Sequence, residues 1–470
     1  MLTDFYEITM ANGYFESGIG DQIAVFDMFF RKIPDQGGFA IFAGLEQLIE
    51  FLTSLRFVPE DLEYLRETKL FSEEFLRYLE TFQFSCDVWS VSEGTPIFPN
   101  EPVIVVRGPL IQTQFIETML LTTVNHQSLI ATKASRMVRA ANGKSVLEFG
   151  ARRAQGYDGA MYGSRAAYIG GCAGTSCVIS ASRFGIPVSG TMAHSWVQSF
   201  DSEYDAFRRY AEIYPQECVL LIDTYNVLKQ GVLNAIRVFD EILLPQGIRP
   251  KGVRIDSGDI AYLSKKVRRI LDDAGYSDVS IIASNSLDEY IIRDLLLQDA
   301  AVDVFAVGEN LITSKSSPVF GGVYKLVAVQ RNDLLQPRIK KSETVEKVNW
   351  PHFKKLYRFY QRETGRSVAD LVTLYDEQIT SFEGYEIFDP NAIWKTKVLT
   401  EITAKELLQP VFLKGRLVYP SISTTEIRKS SIQQIDSLWD EVKRFENPHR
   451  YYVDFSKKLW EMRNQMLRGL

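Results

Sequence analysis

Histidine and cysteine are both scarce in this chain of 470 residues, which has four of each. Cys86, Cys172, Cys177 and Cys218 form no C-x-x-C pair and no zinc-like spacing, so a metal cluster or a disulfide framework is not expected. They read as reduced, mostly buried thiols. No hydrophobic run approaches membrane-spanning length, and "MLTDFYEITM" carries Asp4 and Glu7 where a secretory leader would need apolar residues. The expectation is a cytoplasmic protein without a membrane partner. Cationic charge is also in deficit: 53 Lys and Arg stand against 59 Asp and Glu, a net charge of −6. Without a basic face or a block of like charge, a nucleic-acid partner is not expected, and an anionic ligand has to be met by local cations. Low-complexity segments and internal repeats are absent too.

What is present is an ordinary globular composition, 46% hydrophobic and 24% charged with 12% aromatic. The length allows two or three domains. From Ser145 to about Lys325 a unit recurs at intervals of roughly 20–40 residues: a short apolar run, a polar cluster, then a helical stretch. The runs are "SVLEF", "GIPVSG", "VLLIDT", "GVRID", "VSIIAS", "VDVFAV" and "GGVYKLVAV". Such alternation predicts a parallel sheet closed into a barrel. Ahead of it, "IAVFDMFFRKIP" reads as a strand, Leu45 to Leu55 and Glu60 to Phe82 as helical, and "DVWSVSEGTPIFPNEPVIVVRGPL" as a β-meander. "QTQFIETMLLTTVNHQSLIATKASRMVRAA", free of Gly and Pro, reads as one long helix or two abutting ones. After the barrel, "QPRIKKSETVEKVNWPHFKKLYRFYQ" alternates basic and apolar residues as strands do, to pair with the N-terminal segment. The fold class is therefore α/β: an irregular TIM-like barrel over 113–325, a discontinuous β-rich domain of 1–112 with 326–420, and a helical C-terminal tail over 421–470.

Polar residues follow each run in turn: Arg152 and Arg153, His194 and Ser195, Asp223, Asp256 and Asp259, Ser284 and Asn285, then Gly308. In a barrel these positions converge on one rim, where α/β folds keep their chemistry. Taken singly, each has a plainer use. A lone His194 can be a hydrogen-bonded structural residue, "DSGD" can cap the helix starting near Ile260, and the pair Gly321 and Gly322 can be a turn. Glu148 with Asp256 or Asp259 could also serve as the paired carboxylates of a barrel hydrolase.

Read together, "TDFYEITM", "EFGARRAQGYDGAMYGSRAAYIGG", "GTMAHSWVQSF", "IDTYN", "GVRIDSGD", "IIASN" and "GGVYKLVA" resemble the nicotinate phosphoribosyltransferase family, in the family's order from Thr3 to about Arg358. The resemblance implies transfer of phosphoribosyl from phosphoribosyl pyrophosphate (PRPP) to nicotinate, giving nicotinate mononucleotide and pyrophosphate, with ATP as co-substrate. It also implies a role in NAD salvage. Such a reaction builds positive charge at the anomeric carbon, so it needs carboxylates near the ribose, cations and Mg²⁺ near the phosphates, and a flat slot for the pyridine. By resemblance Phe149 stacks on the ring, and Tyr6 covers its other face from a neighbouring subunit, which implies a homodimer sharing its active site. Arg254 holds the nicotinate carboxylate and Asp256 the ribose hydroxyls. Gly308, Gly321 and Gly322 form phosphate loops, while Arg152, Lys325 and Lys340, with Lys347 or Lys354, meet the pyrophosphate. His194 is the residue phosphorylated by ATP and Asp223 the carboxylate that orients it. Mg²⁺ arrives with PRPP and ATP, and no side chain is assigned as its ligand. His126, His352 and His449 lie outside these strand ends and read as structural or exposed.

Two departures stand out. Glu309 follows Gly308 where many nicotinate-specific relatives carry Thr, and is expected to turn toward the ribose or a metal. Ser176 in "AGTSCV" occupies the turn where nicotinamide phosphoribosyltransferases carry an acid; an acid there would repel nicotinate, so Ser176 favours nicotinate over the amide. A nicotinamide enzyme and a non-catalytic ligand-binding homologue are the alternatives.

Overall fold

The computed structural model describes residues 2–344, 347–379 and 381–469. It divides into two compact units, one of Met1–Leu129, Val319–Ile422 and Lys429–Leu470, the other of Ile130–Pro318 with Ser423–Arg428.

The second unit is built on a six-stranded sheet. In spatial order its strands are Gly174–Thr175, Ser145–Glu148, Val304–Val307, Ser280–Ala283, Gly252–Ile255 and Val219–Leu221. Every pair is parallel. Parallel neighbours need crossovers, and helices such as Gly156–Ile169, Ile260–Asp273 and Glu289–Leu297 supply them. Ile260–Asp273 illustrates the local logic: the Asp259 side chain caps it by accepting from the Tyr262 N–H at 2.8 Å. It then buries Ile260, Ser264, Val267 and Leu271, one stripe at helical spacing.

Two strand expectations change. "GIPVSG" does not become a strand; Val188 makes a single parallel bridge to Thr175 and is 62% exposed. Pro187 has no N–H to donate to a ladder, and that limits the pairing. "GGVYKLVAV" does form a strand, Val323–Arg331, but it pairs antiparallel with Ile23–Phe29 in the other unit. The parallel sheet is accordingly a half-barrel: its edge strands, Gly174–Thr175 and Val219–Leu221, are not hydrogen-bonded neighbours.

The first unit contains a seven-stranded sheet ordered Leu334–Pro337, Val323–Arg331, Ile23–Phe29, Ile104–Pro109, Asp87–Ser90, Gln409–Leu413 and Arg416–Leu417. All of its pairings are antiparallel. The core around it gathers fully buried side chains from far-apart segments, among them Val25, Met28, Val106 and Val327. Each such burial contributes about 1.5–3 kcal/mol. The stretch Glu60 to Phe82 is two helices, Pro59–Glu67 and Glu73–Glu80, because Ser72 starts the second by accepting from the Phe75 N–H at 3.2 Å. The Gly- and Pro-free stretch is likewise two helices, Leu110–Gln114 and Glu117–Ala140.

A second sheet joins Ile402–Glu406, Lys354–Gln361, Ser367–Leu374 and Val453–Phe455. Its last strand corrects the picture of a purely helical tail. Helices Thr424–Asp436 and Lys457–Arg468 flank Val453–Phe455, which pairs parallel with Ser367–Leu374 and buries Phe455.

Candidate active site

One rule of strand geometry assembles the site. Strand side chains alternate faces with period two. Leu147, Val219, Ile282 and Ala306 point into the half-barrel and pack there together with Phe149. Register places Arg254 beside Ile282 and Leu221 on that same face. Two residues further along each strand come Phe149, Asp223, Asp256, Ser284 and Gly308. Five loops thus continue the inward register just beyond the C-terminal strand ends, where the sequence places the site.

Arg254 is the hub of this rim. Its Nε donates to Ser284 Oγ at 2.9 Å, Nη1 to Thr191 Oγ1 at 3.0 Å, and Nη2 to Asp256 Oδ1 at 2.7 Å. Its guanidinium carbon lies 5.8 Å from the Phe149 ring centroid, within cation–π range. The Ser284 hydroxyl also donates to Asp256 Oδ1. Burial alone would raise the Asp256 carboxyl, but Ser284, Arg254 and His194 outweigh it and hold the group below the usual carboxylate range. Asp256 stays ionised while its Oδ2 faces His194.

His194 opens a short helix, His194–Gln198, and is 38% exposed. Its Nδ1 lies 3.1 Å from Thr224 Oγ1. Its Nε2 is 3.9 Å from Asp223 Oδ1 and 3.9 Å from Asp256 Oδ2. Asp223 is fixed from behind: its Oδ2 accepts the Asp256 N–H at 3.1 Å and the Ser257 hydroxyl at 2.5 Å. Asp223 Oδ1 is buried and has no hydrogen-bond donor among the described residues. Thr191 and Thr224 touch Arg254 and His194, contacts to which the sequence assigned no role. The available signal was a hydroxyl residue within "GTMAHS" and, just past the Val219–Leu221 strand, within "IDTYN".

Other expected residues fall into three groups. Phe149 is half-buried beneath Arg254, and Ser176, following the Gly174–Thr175 strand, donates its N–H to the Glu148 carbonyl at 2.9 Å. Gly308 follows Val304–Val307, and Arg152 is exposed on the turn Ala151–Arg153. Glu309, expected to turn toward the ribose or a metal, pairs with Lys315 Nζ at 2.8 Å, which holds its carboxyl below the usual range. Glu148 has no exposure and accepts from Ser164 at 2.8 Å, Thr175 at 2.6 Å and the Gly150 N–H. A Cβ on Gly150 would stand 2.6 Å from Ile312 Cβ, so only glycine lets the chain close over that carboxylate. Glu148 is thereby occupied as a structural anchor, which removes the hydrolase carboxylate pair.

Tyr6, Gly321, Gly322, Lys325 and Lys340 belong to the first unit. Tyr6 is 43% exposed; partial burial and Glu117 push its hydroxyl above the usual range. Lys325 Nζ donates to the Tyr324 carbonyl at 2.8 Å and lies 3.7 Å from Glu117. Gly321 has φ of +73°, with open space around its Cα. The Gly322 N–H is taken by Asn125 Oδ1 at 3.1 Å, so this amide is not free for a phosphate. Lys340 is exposed in the loop after Leu334–Pro337 rather than in a strand. Lys354 is no pyrophosphate ligand: its side chain is 2% exposed and its Nζ pairs with Asp27 at 2.7 Å.

Sequence and structure comparisons bear on this arrangement directly. Three family models match: the nicotinate phosphoribosyltransferase N-terminal domain over residues 1–125, the family's central model over 145–345 and its C-terminal domain over 353–463. The chain is 43% identical to the nicotinate phosphoribosyltransferase of Bacillus subtilis (strain 168), over 99% of its own length and 94% of that protein's. It belongs to the nicotinate phosphoribosyltransferase family.

The Homo sapiens nicotinate phosphoribosyltransferase is 31% identical, with 100% of this chain and 97% of that one aligned. The crystal structure of human nicotinic acid phosphoribosyltransferase superposes with a TM-score of 0.88 at 29% identity, covering 99% of this chain and 100% of the other. A nicotinate-nucleotide pyrophosphorylase from Pyrococcus furiosus shares the fold at a TM-score of 0.69 and 23% identity, over 93% of this chain and 94% of that one. Among the described residues no helix is long and apolar enough to cross a membrane.

Proposed function

We propose that this chain joins nicotinate to the ribose of PRPP, releasing pyrophosphate, and couples the transfer to ATP hydrolysis through His194. The carrying observation is Asp256. Its Oδ1 is held by Arg254 and Ser284, while Oδ2 faces His194, so one ionised carboxylate is preorganised at the rim. The pyridine nitrogen attacks C1 of the ribose, the C1–O bond to pyrophosphate breaks, and pyrophosphate leaves with the electron pair. Asp256 stabilises the cationic carbon and accepts from the ribose hydroxyls; Arg254 takes the nicotinate carboxylate in bidentate fashion over Phe149.

His194 carries the phosphoryl group. Two carboxylates facing Nε2 favour a proton on that nitrogen. The lone pair is then on Nδ1, beside the Thr224 hydroxyl, and Nδ1 is the nucleophile toward the γ-phosphorus of ATP, with ADP leaving. A phosphate on His194 brings new negative charge and acceptor oxygens to the rim. Asp256 and Asp223, whose Oδ1 is buried without a hydrogen-bond donor among the described residues, suit a Mg²⁺ that arrives on phosphates, because that ion is usually held by one or two carboxylates plus substrate oxygens. No group of three or more His, Cys, Asp or Glu among the described residues is spaced to hold a metal by itself. When bound, Mg²⁺ neutralises phosphate charge and eases departure of pyrophosphate.

Nicotinate is favoured over nicotinamide because Arg254 is a cation and the turn residue Ser176 brings no acid. The six strands, with the bridge at Val188, support an irregular TIM-like barrel. Leu2, Phe5, Tyr6 and Met10, all exposed, support a homodimer in which Tyr6 serves the partner's nicotinate. The net charge of −6 supports small-molecule substrates without a nucleic acid, and the likeness to nicotinate phosphoribosyltransferases supports a cytoplasmic enzyme of NAD salvage. The test is incubation with labelled nicotinate and PRPP, with and without ATP. Nicotinate-dependent release of pyrophosphate, increased by ATP, is expected; release with nicotinamide alone would overturn the substrate, and no release would overturn the activity.

A further inference from the structure

The first unit carries a cavity of about 630 Å³ that shares no residue with the site above. Its walls are the hairpin of Glu386–Asp389 and Ala392–Val398 together with residues 449–454. The volume suits a ligand of nucleotide size.

Its chemistry is sharply mixed. Asp454 lines the cavity, is 5% exposed, and its carboxylate receives no hydrogen bond among the described residues. An ionised carboxylate buried without a donor is costly, so the position calls for an N–H from elsewhere. Burial, reinforced by Asp389 and opposed by Arg450, pushes the Asp454 carboxyl up to about 7. Lys395, Lys397 and Arg450 line the same cavity, and none of them forms an ion pair among the described residues. Lys397 Nζ rests 5.7 Å from the Trp439 ring and 5.9 Å from the Tyr452 ring, and burial pushes its ammonium below the usual range. Trp394, 77% exposed, and Tyr452, 41% exposed, offer ring faces at the rim.

We propose that this cavity binds a nucleoside phosphate whose base carries an exocyclic amine. A purely anionic ligand would meet Asp454 and Asp389, and a purely cationic one would meet three basic side chains. A flat base stacked at the rim on Trp394 or Tyr452 places its amine on Asp454 and its phosphate on Lys397 and Arg450, so the buried acid and two of the three basic side chains find partners.

The experiment is titration calorimetry of the full chain with adenosine monophosphate as probe and inosine monophosphate as the control lacking the amine. Adenosine monophosphate is expected to bind more tightly than the control, and Lys397→Ala to weaken it about tenfold through loss of a charge-assisted contact. Asp454→Asn is expected to abolish the preference between the two probes. Trp394→Ala alters an exposed side chain, leaves the fold intact and is expected to weaken both. Equal affinity of wild type for the two probes, or binding unchanged in Lys397→Ala and Trp394→Ala, would overturn the proposal. So would variants that change only the sedimentation of the protein, since the cavity would then be a seat for a second copy.

Discussion

Arg254 and Asp256, two residues apart at the end of one strand, form a 2.7 Å ion pair that consumes one carboxylate oxygen and leaves the other facing His194. Both side chains point inward because the strand period is two, so the pair is a direct product of register. Asp256→Asn keeps the shape and removes the charge proposed to meet a cationic anomeric carbon. Turnover is expected to fall about 10²–10³-fold, by analogy with loss of a preorganised electrostatic partner, and more than in His194→Ala. Steady-state rates of pyrophosphate release check this.

Ser284 lowers the Asp256 carboxyl by donating to it, and it also receives Arg254 Nε. Removing the hydroxyl in Ser284→Ala takes away a contact that favours the charged form, so the Asp256 pKa rises. The proposed mechanism needs the ionised carboxylate; activity is therefore expected to be lost as pH falls through that pKa. The acid limb of kcat/KM is expected to move to higher pH in the variant, with the plateau at neutral pH reduced less than in Asp256→Asn. An acid limb unmoved by the substitution would place the controlling group elsewhere.

His194→Ala is expected to abolish stimulation by ATP while preserving slow ATP-independent transfer, because the role proposed for the imidazole is to carry phosphoryl rather than to touch the ribose carbon. Thr224→Val tests the nitrogen: if Nδ1 is the nucleophile, losing the hydroxyl 3.1 Å away alters the rate of phosphoenzyme formation and leaves ATP-independent transfer unchanged. Acid-labile incorporation of label from γ-labelled ATP measures the first step separately.

Much of this rim was readable in advance, for a local reason. Short apolar runs such as "GVRID" and "VSIIAS" mark strands, and the polar residue just past each run marks its C-terminal end. Asp223, Asp256, Ser284 and Gly308 all follow from that rule. What stayed hidden was non-local. "GGVYKLVAV" announces a strand but not its partner, and Val323–Arg331 pairs with Ile23–Phe29 rather than with the parallel sheet. Gly322 looks like a phosphate turn until Asn125 is found on its amide. "GIPVSG" has the apolar content of a strand, but Pro187 lacks the donor that a ladder requires.

Glu309 puts an acid directly after Gly308, where repulsion of a phosphate would be expected. Its pairing with Lys315 at 2.8 Å on an exposed surface neutralises most of that effect. Glu309→Gln is therefore expected to change the KM for PRPP by less than about twofold at physiological salt, the scale of an exposed ion pair. A larger drop in KM, growing as salt is lowered, would mean that the carboxylate acts on the phosphate in spite of Lys315.

Lys354 stands in a basic, alternating segment that invites a phosphate-binding reading, yet its ammonium is enclosed. Asp27 lies at 2.7 Å, and the carbonyls of Trp350, Pro351 and His352 accept from it at 2.9, 3.2 and 2.5 Å. Burial pushes Lys354 down and Asp27 up, each opposed by the other's charge. Lys354→Met leaves Asp27 as a buried carboxylate without its cation, and breaking such a pair from one side costs about 3–5 kcal/mol. The double variant Asp27→Asn with Lys354→Met removes both charges and is expected to recover part of that loss. Denaturant midpoints of the three variants measure the cycle, while the KM for PRPP of the folded fraction is expected to match the wild type in each. A raised KM without a change in midpoint would return Lys354 to the pyrophosphate site.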